Sequence, residues 1–89
     1  MPADNYVIFP RRIIFACNLL PSTKAVLLVL AAFGPNTTVS IAYVCEAVGL
    51  SDRTVRSAIK EAKDLGYLVV HHVYRADGGC CGNRYEVLP

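Results

Sequence analysis

The sequence predicts a small α+β domain in which three helices are followed by a C-terminal β-hairpin. Three observations lead there. Three helical segments are each opened by a serine and closed by a glycine, at Ser22 and Gly34, Ser40 and Gly49, and Ser51 and Gly66. The last third changes to β-formers, residues 67–74 and 84–88, on either side of a glycine-rich stretch. The chain has 89 residues, 54% hydrophobic and 18% charged, which suits one domain and is too apolar for a disordered tail.

Residues 6–15 are apolar around the basic pair Arg11-Arg12, and Pro10 divides them. They read as a short extended piece and then a short helical or irregular piece. The domain is taken as residues 1–89, with 1–18 an N-terminal apolar extension and 19–88 the core module. The first firm helix is expected over 23–33, with Ser22 as its N-cap and Gly34-Pro35 as its stop. After Lys24 it is apolar on every side, so it is expected to be buried all round or covered by a partner. Thr38-Val39 is read as a brief strand. Ser40 then caps a second helix, residues 41–48. At about 100° per residue, Ile41, Val44, Cys45 and Val48 fall on one face, and Ala42, Tyr43, Glu46 and Ala47 face away.

Gly49 can take the left-handed conformation that ends a helix. Leu50 then drops into the core, and Ser51 caps a third helix from Asp52 to about Leu65. Val55, Ala58, Ile59, Ala62 and Leu65 make its apolar face, opposite Arg53, Arg56, Ser57, Lys60 and Asp64. Residues 67–74 form the outgoing strand of the hairpin, 76–83 its loop and 84–88 the return. Tyr67 and Tyr85 are read as partly core. His71 and His72 point to opposite faces.

Composition excludes several functions. Nine basic residues against seven acidic ones give a net charge of +2, mildly basic. The longest strongly apolar run, residues 25–33, is far short of the roughly 20 residues of a membrane span. The start carries no signal-peptide pattern, so a cytoplasmic, nucleoid-associated protein is expected. Cys17 and Cys45 lie among apolar neighbours and read as small hydrophobes. Cys80-Cys81 is adjacent, which fits neither redox nor zinc spacing, even with His71 and His72 nearby. A redox or bridging role for that pair is the minor alternative to free loop thiols. There is no Ser/His/Asp order with supporting turns, and no helix follows Gly78-Gly79-Cys80-Cys81-Gly82 to hold a phosphate. The expectation is no enzyme, no cofactor and no metal.

The segment Gly49-Leu50-Ser51-Asp52-Arg53-Thr54-Val55 resembles the GLS-x-x-TV turn and recognition helix of winged helix-turn-helix domains. Residues 62–68 resemble the family's L-x-x-L-G-x-L passage from recognition helix to wing, with Ala62 in place of the usual leucine. Residues 20–30 resemble its first helix. The likeness spans about 19–88, and is greatest to modules of phage and plasmid replication initiators and small prokaryotic repressors. It implies sequence-specific binding of double-stranded DNA in transcription or replication control. A homodimer is expected with it, because one small module buries little surface for tight specific binding and a dimer reads two half-sites.

The residues suit that implication. A helix enters the major groove with a face of hydrogen-bond donors, and Arg53, Arg56, Ser57 and Lys60 supply one. Arg53 and Ser57 are assigned to base edges, Arg56 and Lys60 to bases or flanking phosphates. Ser51 and Thr54 sit at the helix start, where free N–H groups favour a phosphate. Arg75, Asn83 and Arg84 flank the wing loop and are the candidate wing contacts, with Asp77 at the tip opposing them. The bland alternative is a solvated helix face and ordinary strand residues. The competing function is a winged-helix docking module that binds protein and no DNA. Ion pairing of Arg53, Arg56 and Lys60 with neighbouring carboxylates would favour that one.

Overall fold

The computed structural model describes residues 7–34, 37–74 and 80–88, without the side chains of Cys80 and Cys81. Its elements are α1 (Arg11–Ile14), α2 (Pro21–Phe33), β1 (Thr38–Val39), α3 (Ile41–Val48), α4 (Asp52–Asp64), β2 (Leu68–Tyr74) and β3 (Cys80–Val87). The expected three helices are α2, α3 and α4. The single turn α1 starts after Pro10 and buries Ile13 completely in the common core. Lys24 Nζ donates to the Ile14 carbonyl at 2.9 Å and ties α1 to α2.

Helix α2 begins two residues before its expected start. Pro21 is the first helical residue, where its missing N–H removes no helix bond, and Leu20 stands at the cap with no side-chain bond. Ser22 is therefore inside the helix and is not its cap. Thr23, Val26, Leu27 and Leu30 are buried at helical spacing, while Leu28 is half exposed. So α2 buries one stripe, not its whole circumference. Thr23, the buried polar residue of that stripe, donates its hydroxyl to Glu61 Oε1 of α4 at 2.5 Å.

Helix α3 follows its expected bounds. Ser40 Oγ accepts the Tyr43 N–H at 3.2 Å, Val44 is fully buried, and Ile41, Cys45 and Val48 pack against the core. Gly49 takes the left-handed conformation at φ 78°, ψ 26°, which L-residues with side chains adopt at a cost. Gly49 and Leu50 both donate backbone N–H to the Cys45 carbonyl, and Leu50 packs against the core. Helix α4 buries Val55, Ala58, Ile59 and Ala62. Leu65, expected on that face, is 45% exposed, because the helix stops at Asp64 and the chain turns away towards the sheet.

The strands form one antiparallel sheet in the order β1-β3-β2. Tyr85 and Asn83 pair with Val70 and His72, while Arg84 pairs with both Thr38 and His71. Leu68, Tyr85 and Val39 bury the helix side of the sheet. The return strand is longer than expected, for 80–83, read as loop, belong to β3. Gly82 explains the difference. A Cβ on it would lie 3.0 Å from the Val39 carbonyl oxygen, and its φ is +145°. Glycine there marks close approach of β1 and an irregularity at Val73/Tyr74, not the end of pairing. Cys17 is exposed, contrary to its expected apolar setting. Among the described residues, no helix is long and apolar enough to cross a membrane.

Candidate nucleic-acid interface

The tight turn at Gly49 fixes α4 against α3, and the buried stripe from Val55 to Ala62 fixes its rotation. Arg53, Arg56, Ser57 and Lys60 are then all exposed on the far side, as the helical arithmetic required. Ser51 Oγ accepts the Thr54 N–H at 3.2 Å and donates its own hydrogen to Thr54 Oγ1 at 2.9 Å. The Ser51 hydroxyl is thus engaged as the N-cap.

Two of the three cations are tied to carboxylates of their own helix. Arg56 Nε lies 2.7 Å from Asp52 Oδ2, and Lys60 Nζ lies 3.1 Å from Asp64 Oδ2. The Asp52 hydrogen bond, with its charge, raises the Arg56 pKa above its ordinary value. All four side chains are more than half exposed. Such surface pairs are weak and screened by salt, so they exchange readily for another anion. Arg53 has no ion pair among the described residues.

The two flanks of α4 differ. On one, Arg53, Thr54 and Ser57 border the start of α2, at Ser22 and the preceding Leu20. On the other, Arg56, Lys60 and Lys63 face the sheet across a groove of about 250 Å³, opposite His72 and Asn83. Asn83 accepts from His72 Nδ1 at 2.8 Å and donates to the Tyr85 hydroxyl at 3.0 Å. It is a strand residue at the foot of the groove, not a loop-end residue. Arg84 lies mid-strand on the opposite sheet face, so Asn83 and Arg84 do not share a surface. Arg75, Asp77 and the side chains of Cys80 and Cys81 lie outside the described residues. Sequence reasoning gave Lys63 no role and weighed His72 only as a strand residue or metal ligand. The spacing of Lys63 after Arg56 and Lys60 was a usable signal, but His72 needed the strand register.

His71 lies 3.5 Å from Glu86 on the outer sheet face. Arg12 stacks over the Tyr67 ring at 4.4 Å. No group of three or more His, Cys, Asp or Glu is placed to hold a metal among the described residues.

A family model described as a helix-turn-helix domain matches residues 18–68. The chain belongs to the helix-turn-helix domain family. The match runs from before α2 to the first residue of β2, so it contains the α3–turn–α4 unit described above. A solved structure from Methanosarcina mazei Go1, described as a possible transcriptional regulator, is similar to 96% of this helix-turn-helix chain and 76% of its own, with TM-score 0.65 and 17% identity. That likeness extends the shared fold through the sheet, and the architecture is a winged helix-turn-helix with β2 and β3 as the wing. No curated protein matches the sequence.

Proposed function

We propose that this helix-turn-helix domain binds double-stranded DNA in a sequence-specific way, with α4 in the major groove and the wing beside it, as a homodimeric regulator of transcription or replication. One observation carries the reading: α4 presents Arg53, Arg56, Ser57 and Lys60 on a single exposed face, while its opposite face is locked in the core. Arginine donates two parallel bonds to guanine O6 and N7, and Ser57 is short enough to bring the helix backbone close to base edges. The M. mazei structure bears the description of a possible regulator, in keeping with that role.

The test is fluorescence anisotropy of the purified protein with random-sequence duplex DNA across a salt series. Affinity is expected to fall steeply with salt, with a log–log slope of about 0.9 per phosphate contacted. Arg53→Ala is expected to cost about 1–3 kcal/mol on the preferred site and relax specificity there. Folded protein that binds no duplex at low salt overturns the reading. The Arg56–Asp52 and Lys60–Asp64 pairs favour the second reading, a protein-docking module, which that outcome would select.

A further inference from the structure

Arg53, Ser57 and Glu61 stand four residues apart, so they form one ridge along α4, on the flank that borders the start of α2. Arg53 and Ser57 are exposed, and Glu61, at the far end of the ridge, is partly buried. There Glu61 Oε1 accepts the hydroxyl hydrogen of Thr23, a residue only 1% exposed. A helical threonine commonly turns its hydroxyl back to a carbonyl of its own preceding turn. Thr23 instead spends its one hydrogen across the interface, on a carboxylate of α4. The buried stripe of α4 sets the rotation of the helix only coarsely. Ala58 and Ala62 offer it no side chain beyond Cβ, and burial of hydrocarbon has no preferred direction. The Thr23 bond has one, since a hydrogen bond weakens steeply when bent.

We infer that Thr23 and Glu61 are a positioning pair that sets the fine rotation of α4, and with it the aim of Arg53 and Ser57 at base edges. The inference rests on the proposed DNA binding and adds what aims the reading side chains. Magnitudes favour such a pair. Side-chain ends lie about 5–6 Å from a helix axis, so a rotation of about 10° carries them through about 1 Å. A bidentate arginine–guanine contact needs both donors at roughly 2.7–3.2 Å and does not survive that shift unaltered. Attraction to a phosphate changes little over the same distance, because charge acts over a longer range. The pair is therefore expected to govern discrimination between sequences and to leave general affinity for duplex DNA nearly unchanged. Glu61 follows Arg53 by two turns, about 12 Å along the axis, so it acts through the helix.

The experiment compares wild type, Thr23→Val, Thr23→Ser and the double variant Thr23→Val with Glu61→Leu, on a selected duplex and on random duplexes across salt. Thr23→Val keeps the shape and removes the donor, while Thr23→Ser keeps the donor. The double variant replaces the bond by an apolar contact, which joins the helices without direction, so it is expected to melt close to wild type. Thr23→Val and the double variant are expected to lose about tenfold in the ratio of selected to random affinity, with random-duplex affinity and salt slope unchanged. Thr23→Ser is expected to keep the wild-type ratio, and a loss equal to that of Thr23→Val would overturn the inference. Adding Arg53→Ala to the double variant should cost far less on the selected duplex than it costs wild type, because the arginine is already misaimed. Wild-type discrimination in the folded double variant overturns the inference while DNA binding stands. Equal losses on selected and random duplexes also overturn it, by assigning the bond to stability alone. Wild type that binds no duplex overturns the DNA reading, and the inference with it.

Discussion

At Ser51 one hydroxyl faces two demands that substitution separates. It caps α4 through the Thr54 N–H, and it stands at the helix end where a phosphate is expected. Ser51→Ala is expected to lose about 1 kcal/mol of stability, read as a lower denaturation midpoint. Ser51→Asp keeps the cap and is expected to melt as wild type, but its charge should repel a backbone phosphate and weaken duplex binding. Unchanged binding in Ser51→Asp would show that the N-terminus of α4 lies away from DNA. Gly82 makes a purely structural counterpart. A side chain there meets the Val39 carbonyl oxygen at 3.0 Å and the Thr38 methyl at 3.1 Å, on a backbone that disfavours L-residues. Gly82→Val is expected to detach β1 from β3 and cost about 1–3 kcal/mol, visible in thermal melts. The helical half of the site was legible at this scale, since 100° per residue alone groups Arg53, Arg56, Ser57 and Lys60. Lys63 follows from the same arithmetic, but its meeting with His72 does not, because that depends on which sheet face packs under α4. Asn83 and Arg84, adjacent in sequence, likewise read as one wing contact until pairing with His72 and His71 sent them to opposite faces.

Elements differ in how plainly they announce their buried side. Helix α4 alternates charge and hydrocarbon at helical spacing, so its core face could be named from sequence, Leu65 excepted. Helix α2 is apolar throughout after Lys24, and such a pattern has no preferred side. Its packing against α4, α3 and β3 selects Val26, Leu27 and Leu30 over Leu28. Paired substitutions separate the two sides. Leu27→Ala removes a side chain 1% exposed and is expected to cost about 2–5 kcal/mol, a large share of the stability of so small a domain. Leu28→Ser, at a position 48% exposed, is expected to change monomer stability by no more than about 0.5 kcal/mol. Equal losses in urea titrations would contradict the stripe. The wing shows the opposite difficulty. Its strand residues were recognised, but Gly82 and the cysteine pair looked like loop, because the rule that glycine weakens strands ignores close backbone approach. The β1–β3 ladder joins residues more than forty apart, and no local pattern predicts such pairing.

The whole molecule leaves apolar surface on the side that α2 shares with α1. Ile14 and Leu28 border a shallow apolar depression with Phe9 and Ala25, and Phe15, next in the chain after Ile14, is 72% exposed. Leu20, before α2, is 60% exposed. A second copy is the occupant that the proposed function requires, because one small module has little surface for tight specific binding and a two-fold dimer reads two half-sites. A standard interface takes about 800 Å² from each partner, a modest fraction of the 5800 Å² that this chain exposes. Sedimentation velocity at tens of micromolar is therefore expected to show a dimer. The double substitution Phe15→Ser with Leu28→Ser should give a monomer that retains its helical spectrum. A monomeric wild type would overturn the dimer. The DNA experiment adds a second, independent reading. The monomeric double variant keeps α4 and the wing groove intact, so its affinity for an isolated half-site should match that of wild type. Its loss should appear only on duplexes carrying two half-sites, where the wild-type dimer gains from simultaneous engagement. Equal losses on half-sites and full sites would mean that Phe15 and Leu28 support the fold, and the dimer assignment to this surface would fail.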